Sequence, residues 1–152
     1  MEHATLKKML YEHCLQFVQE RIGNIEQAIE NARAAQQDDT KSSAGDKYET
    51  SREMMTQEIE NNATQLAEAR KQLQLLRSIS PDKTHEQVAP GSYVQTSAGN
   101  FFIAIAAGAC ATAKGTVQCI SAASPMALHL LGKQKNDSVA FHGKSYLVEA
   151  VA

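Results

Sequence analysis

The chain has 152 residues, 21% charged and 43% hydrophobic, a globular composition long enough for one domain or two small ones. Its 15 basic and 17 acidic side chains leave a formal charge of -2, which excludes a protein that grips nucleic acid through a concentrated basic surface. Aromatics are only 5% with no Trp, and no stretch approaches the roughly 20 apolar residues that span a bilayer, so a large aromatic core and a membrane helix are both excluded and a reducing cytoplasm is the expected compartment.

The first half carries a heptad pattern. Tyr11, Leu15, Val18, Ile22, Ile25, Ile29 and Ala32 follow at alternating 4 and 3 spacing, which places them on one seam of a helix. Met55, Ile59, Asn62, Leu66, Ala69, Leu73 and Leu76 repeat that spacing. Neither helix can bury its stripe alone, so the two are expected to pair as an antiparallel hairpin. Folding the chain near Ser42 sets Ile29 opposite Met55, Ile25 opposite Ile59, Ile22 opposite Asn62, Val18 opposite Leu66, Leu15 opposite Ala69 and Tyr11 opposite Leu73. Asn62 in the seam reads as a register-setting polar residue. The tip, near 37–49, is polar and acidic, with Asp38, Asp39, Asp46 and Glu49 among Lys41 and Lys47. Such residues are ordinary loop and capping chemistry, and Asp46 suits the start of a helix.

Composition changes near residue 80. The hairpin is expected over 1–78 and a polar, Pro-flanked linker over 79–90, between Pro81 and Pro90. A second domain then fills 91–152. Segments 92–96, 101–107 and 116–121 read as strands. A short helix follows, with Ser124 as N-cap, Pro125 at its first position and Gly132 as its stop. Segments 138–141 and 144–151 form a hairpin around His142-Gly143. The fold class is therefore α+β: a long helical hairpin, then a small, mainly antiparallel β domain with one short helix. Cys14, Cys110 and Cys119 are odd in number and lack C-x-x-C spacing, so neither a disulfide framework nor a zinc knuckle is indicated. Cys110 and Cys119 read as buried inert thiols. His13 and His129 have no further ligands at metal spacing and read as packing or surface residues.

The run Ile120-Ser121-Ala122-Ala123-Ser124-Pro125-Met126-Ala127-Leu128-His129-Leu130-Leu131-Gly132-Lys133 closely resembles the IS-x-x-SP-x-x-x-x-L-x-GK signature of the bacterial GreA/GreB transcript cleavage factors. Asn136-Asp137-Ser138-Val139 is similar to their GD-x-V turn, with Asn136 where Gly is usual. Pro90-Gly91-Ser92-Tyr93-Val94 resembles the first strand of their FKBP-like C-terminal domain. Tyr48-Glu49-Thr50-Ser51-Arg52-Glu53 resembles the segment that begins their second helix. The resemblance implies a factor that docks on RNA polymerase at its secondary channel. Ser121, Ser124, Pro125 and Met126 are then docking candidates, and the hairpin tip reaches the polymerase active site. There, tip carboxylates help hold a second Mg²⁺ so that the polymerase cleaves its own backtracked RNA. The chain would be an accessory factor with no cofactor of its own, in contact with RNA only indirectly; a hairpin that satisfies its own seam makes a monomer the default.

The tip departs from the family pattern. The family's working Asp and Glu stand seven and four residues before the Tyr, and counting back from Tyr48 finds Lys41 and Ala44. Asp38, Asp39 and Asp46 are the candidates to replace that pair and share the Mg²⁺, with Glu49 beside them. Two other readings stand alongside: the same docking with modulation or inhibition instead of cleavage, and a coiled-coil interaction module with a different partner.

Overall fold

The computed structural model describes residues 2–41 and 45–152, with the side chains at 39–41 and 45–48 outside that description. Two helices come first, α1 (His3–Lys41) and α2 (Gly45–Arg77). Four strands follow: β1 (Tyr93–Thr96), β2 (Gly99–Ala104), β3 (Gly108–Thr112) and β4 (Gly115–Ser121). The chain ends with the short α3 (Pro125–Leu130), β5 (Ser138–Phe141) and β6 (Lys144–Val151). The class is α+β, as the sequence indicates. No described helix is long and apolar enough to cross a membrane. The chain divides into two compact units, Val18–Leu73 and Met1–Phe17 with Gln74–Ala152. A boundary drawn at the linker alone leaves the first 17 residues with the hairpin, whereas they cluster with the sheet.

In the unit Val18–Leu73 the buried core is Ile25, Ile29 and Ala69, with Ile22, Ile59 and Leu66 packed against it. All are positions of the two heptad seams, and Asn62 is half-buried among them. The register differs from the one expected. Arg21 donates to Gln72 Oε1 at 2.6 Å, and Gln36 donates to Thr56 Oγ1 at 3.1 Å. Ala69 packs with Ile25 and Ile29 rather than opposite Leu15. The helices have slid by about one heptad, and a slide of seven leaves every seam position opposite another seam position. Apolar periodicity cannot distinguish the two registers. Polar pairing can, and Arg21 also reaches Glu68 at 3.8 Å. The segment expected as a long polar loop is also shorter: α1 continues to Lys41 and α2 begins at Gly45.

The second unit is built on a six-stranded sheet of order β3-β4-β2-β1-β6-β5. All neighbours are antiparallel except β2 and β4, which run parallel with Phe102 beside Cys119 and Ile103 beside Ile120. Strand β3 was not expected. Its sequence Gly-Ala-Cys-Ala-Thr is poor in β-branched and aromatic residues, so local preference is weak. The ladder to β4, Gly108 opposite Cys119 through Thr112 opposite Gly115, forms it instead.

Side chains alternate across a strand, so the two sheet faces have separate cores. One face presents Val94, Ile103, Val139 and Val148 to Ala127 and Leu130 of α3 and to Val88. Val88 belongs to the expected linker, which is irregular but held in place. Its N–H donates to Lys133 O at 2.9 Å, and its carbonyl accepts from Gly132 at 2.8 Å. At the end of this segment Gly91 has φ +92°, and a Cβ there would lie 2.9 Å from Ile79 Cγ2. Positive φ and that close approach together call for glycine.

The other face carries Tyr93 and Phe102, both wholly buried, and the start of α1 covers it. Leu6, Leu10 and Cys14 stand four apart and are each 0% exposed. The His3 ring lies 5.6 Å from the Tyr93 ring, and His13 Nε2 donates to Ala107 O at 3.1 Å. This second stripe on α1 is what brings its first turns into the sheet unit.

Candidate functional site

The run from Ile120 to Lys133 folds as the end of β4, a serine-built turn and α3. Ser124 Oγ donates to Ser121 O at 2.7 Å and accepts from Ala127 N at 3.3 Å. Ser121 Oγ accepts from Ala123 N at 3.1 Å. The two serines therefore tie the turn to the helix, satisfying amide donors that the first turn of a helix leaves open. Pro125 occupies the first turn, where a missing N–H costs nothing, and Gly132 closes the end with φ +82°. Beyond it, Asn136 has φ +77°, a conformation that asparagine tolerates better than other side chains. Asp137 Oδ2 accepts from Gln134 N at 2.7 Å and braces that turn.

The four docking candidates thus separate. Pro125 is exposed; Ser121 and Ser124 are partly buried and committed to the turn; Met126 packs against the core beneath α3. Sequence reasoning missed Leu128, a large apolar side chain 62% exposed on the same helix. Helical spacing carried the signal: Ala127 and Leu130 face inward, so Leu128 lies on the other side. His129 adjoins it, also exposed, with its ring edge-on to Phe141 at 5.3 Å. Together Pro125, Leu128 and His129 make an exposed patch of mixed apolar and polar character.

At the hairpin's end, Asp38 and Glu49 are exposed. Asp38 lies in the last turn of α1, where the helix dipole disfavours a negative charge. Helix stability therefore gives no reason for an acid there. The side chains of Asp39 and Asp46 lie outside the described residues, as do residues 42–44. Among the described residues no three His, Cys, Asp or Glu side chains form a group that could hold a metal.

A second polar group lies where α1 covers the sheet. Lys7 is 1% exposed, and its Nζ donates to Lys83 O at 2.5 Å. Burial holds its ammonium below the usual lysine range. Among the described residues, Tyr93 Oη is the buried side-chain polar atom without a hydrogen-bond partner. Leaving a buried hydroxyl unpaired costs roughly 1–3 kcal/mol. Tyr93→Phe is therefore expected to leave the sheet unit equally stable or more stable, by up to about 1–2 kcal/mol. Urea unfolding followed by circular dichroism reads this, and a loss above 1 kcal/mol would reveal a hidden partner for the hydroxyl.

His3 and His85 are both held below the usual histidine range, first by burial and then by nearby lysines: Lys114 and Lys7 for His3, Lys7 and Lys83 for His85. A depressed folded value means that the unfolded chain takes up the proton more readily. Their contribution is fully present above about pH 6.5 and is lost as pH falls through the lower folded values. Melting temperature should therefore fall between pH 7.5 and 5.5. His3→Gln with His85→Gln should flatten that slope, and an unchanged slope would assign it to other groups.

No family model matches the chain, and no curated protein matches it.

Proposed function

We propose that this protein is a divergent transcription elongation factor of the GreA/GreB type, binding RNA polymerase at its secondary channel. The observation that carries the reading is the 120–133 run, whose serines build the turn into α3 while Pro125, Leu128 and His129 face solvent. That arrangement leaves a surface available for docking beside the residues in which the resemblance is most specific. The hairpin supports the same reading. From Val18 to Lys41 the helix rises about 36 Å, a length suited to reaching into a channel. Asp38 and Glu49, exposed near the tip, supply carboxylates to a metal that belongs to the polymerase. In this reading the chain is no enzyme, carries no cofactor of its own, acts as a monomer in the cytoplasm, and meets RNA only inside the polymerase.

A second reading, docking with modulation instead of cleavage, is favoured by Lys41 and Ala44 at the positions where the family carries its acids. Backtracked elongation complexes made with purified polymerase from the same organism separate the two. Release of short 3′ RNA on addition of the protein, abolished by Asp38→Asn with Asp39→Asn and Asp46→Asn while binding is kept, supports cleavage. Binding without release supports modulation. Failure to co-elute with polymerase, together with failure to compete with a known channel binder, overturns both and leaves an interaction module with another partner.

A further inference from the structure

Cys14, far in sequence from Cys110 and Cys119, converges with them where α1 covers the sheet. Cys110 of β3 stands opposite Val117, and Gly108 stands opposite Cys119 of β4, so the two thiols share one face, a single cross-strand step apart. His13 Nε2 donates to Ala107 O at 3.1 Å, and Ala107 N donates to Cys119 O at 3.3 Å. These bonds hold the turn of α1 that carries Cys14 against Cys119. All three cysteines are free thiols, 0%, 7% and 2% exposed for Cys14, Cys110 and Cys119. Burial alone is what the sequence suggests for such residues; their convergence from a helix and two strands is a further property.

We propose that Cys14 and Cys119 form a peroxide-responsive dithiol that closes to a disulfide and fastens the start of α1 to the sheet. The Cys14 sulfur attacks one oxygen of a hydroperoxide and the O–O bond breaks. Cys14 becomes a sulfenic acid, and the departing oxygen takes up the thiol proton and leaves as water or an alcohol. The Cys119 sulfur then attacks the Cys14 sulfur; the S–S bond forms, the S–O bond breaks, and hydroxide leaves with the Cys119 proton as water. Two thiols give up two electrons and two protons to one peroxide. The neighbouring Cys119 pushes the Cys14 thiol down, against the opposing effect of burial, while Cys14 and burial push Cys119 up. Peroxide reaches the pair through local opening of α1 from the sheet, and the disulfide stops that opening.

The test uses the full chain under native conditions. Hydrogen peroxide is titrated in, free thiols are then blocked with N-ethylmaleimide in denaturant, and peptides are mapped by mass spectrometry. The expected result is a peptide pair joined through Cys14 and Cys119, with Cys110 alkylated, reversal by dithiothreitol, and a higher melting temperature for the oxidised chain. Cys110→Ser should keep the link. All three thiols alkylated after peroxide, a link through Cys110, or disulfide-joined dimers would each overturn the proposal. Mapping of the unsubstituted chain decides the matter without any variant that fails to fold.

Discussion

Replacing Phe102 by alanine should cost about 3–5 kcal/mol, much of the 5–15 kcal/mol typical of a small folded unit. Phe102 is 0% exposed and lies across the sheet from Tyr93 and beside Cys119, on the face covered by α1. The loss combines apolar burial with the cavity left beneath Leu6, Leu10 and Cys14, which are themselves fully buried. Backbone pairing on both sides of β2 fixes the floor of that cavity, so relaxation is limited. Calorimetry should show the melting temperature lowered by roughly 10 °C or more. Hydrogen exchange should show protection lost in the first turns of α1 together with β2. A loss under 1 kcal/mol would mean that α1 does not seal this face in solution.

The second large effect concerns docking. Leu128→Glu should leave the fold within about 0.5 kcal/mol, because the side chain is 62% exposed and takes no part in the core beneath α3. Under the proposed function it should weaken polymerase binding by tenfold or more, about 1.4 kcal/mol, since it replaces an apolar contact by a carboxylate that docking would bury unpaired. Competition against a labelled channel binder measures this. Met126→Ala is the contrasting variant: it is packed on the core, so its effect should fall on stability. Undiminished binding by Leu128→Glu would remove this face of α3 from the docking surface.

Much of the architecture was legible because it rests on local rules. Alternating 4 and 3 spacing marks the faces that the helical unit buries, at Ile22, Ile25, Ile29, Ile59, Leu66 and Ala69. Ser124, Pro125 and Gly132 are each placed by the unpaired backbone groups at helix ends, and α3 has those bounds. The β5–β6 hairpin around His142-Gly143 follows in the same way, with both turn residues at positive φ. The candidate site was legible only in part. Ser121 and Ser124 could be named from their spacing, but their hydroxyls are committed to the turn, and the exposed Leu128 beside them went unremarked.

The two amphipathic helices, the capped helix and most of the strands are thus properties of the sequence by itself, since each depends on residues a few positions apart. Tertiary structure alone decided the rest. The hairpin register shifted by about one heptad because the repeat is blind to a slide of its own period. Strand β3 forms because β4 offers it a ladder, although its small residues lack strand preference. The first 17 residues joined the sheet unit because Leu6, Leu10 and Cys14 form a second stripe whose partner, the face bearing Tyr93 and Phe102, lies some 80 residues away or more. That same distance hid the meeting of Cys14 with Cys119. Contacts between residues so far apart depend on how the chain returns on itself, which no local spacing encodes.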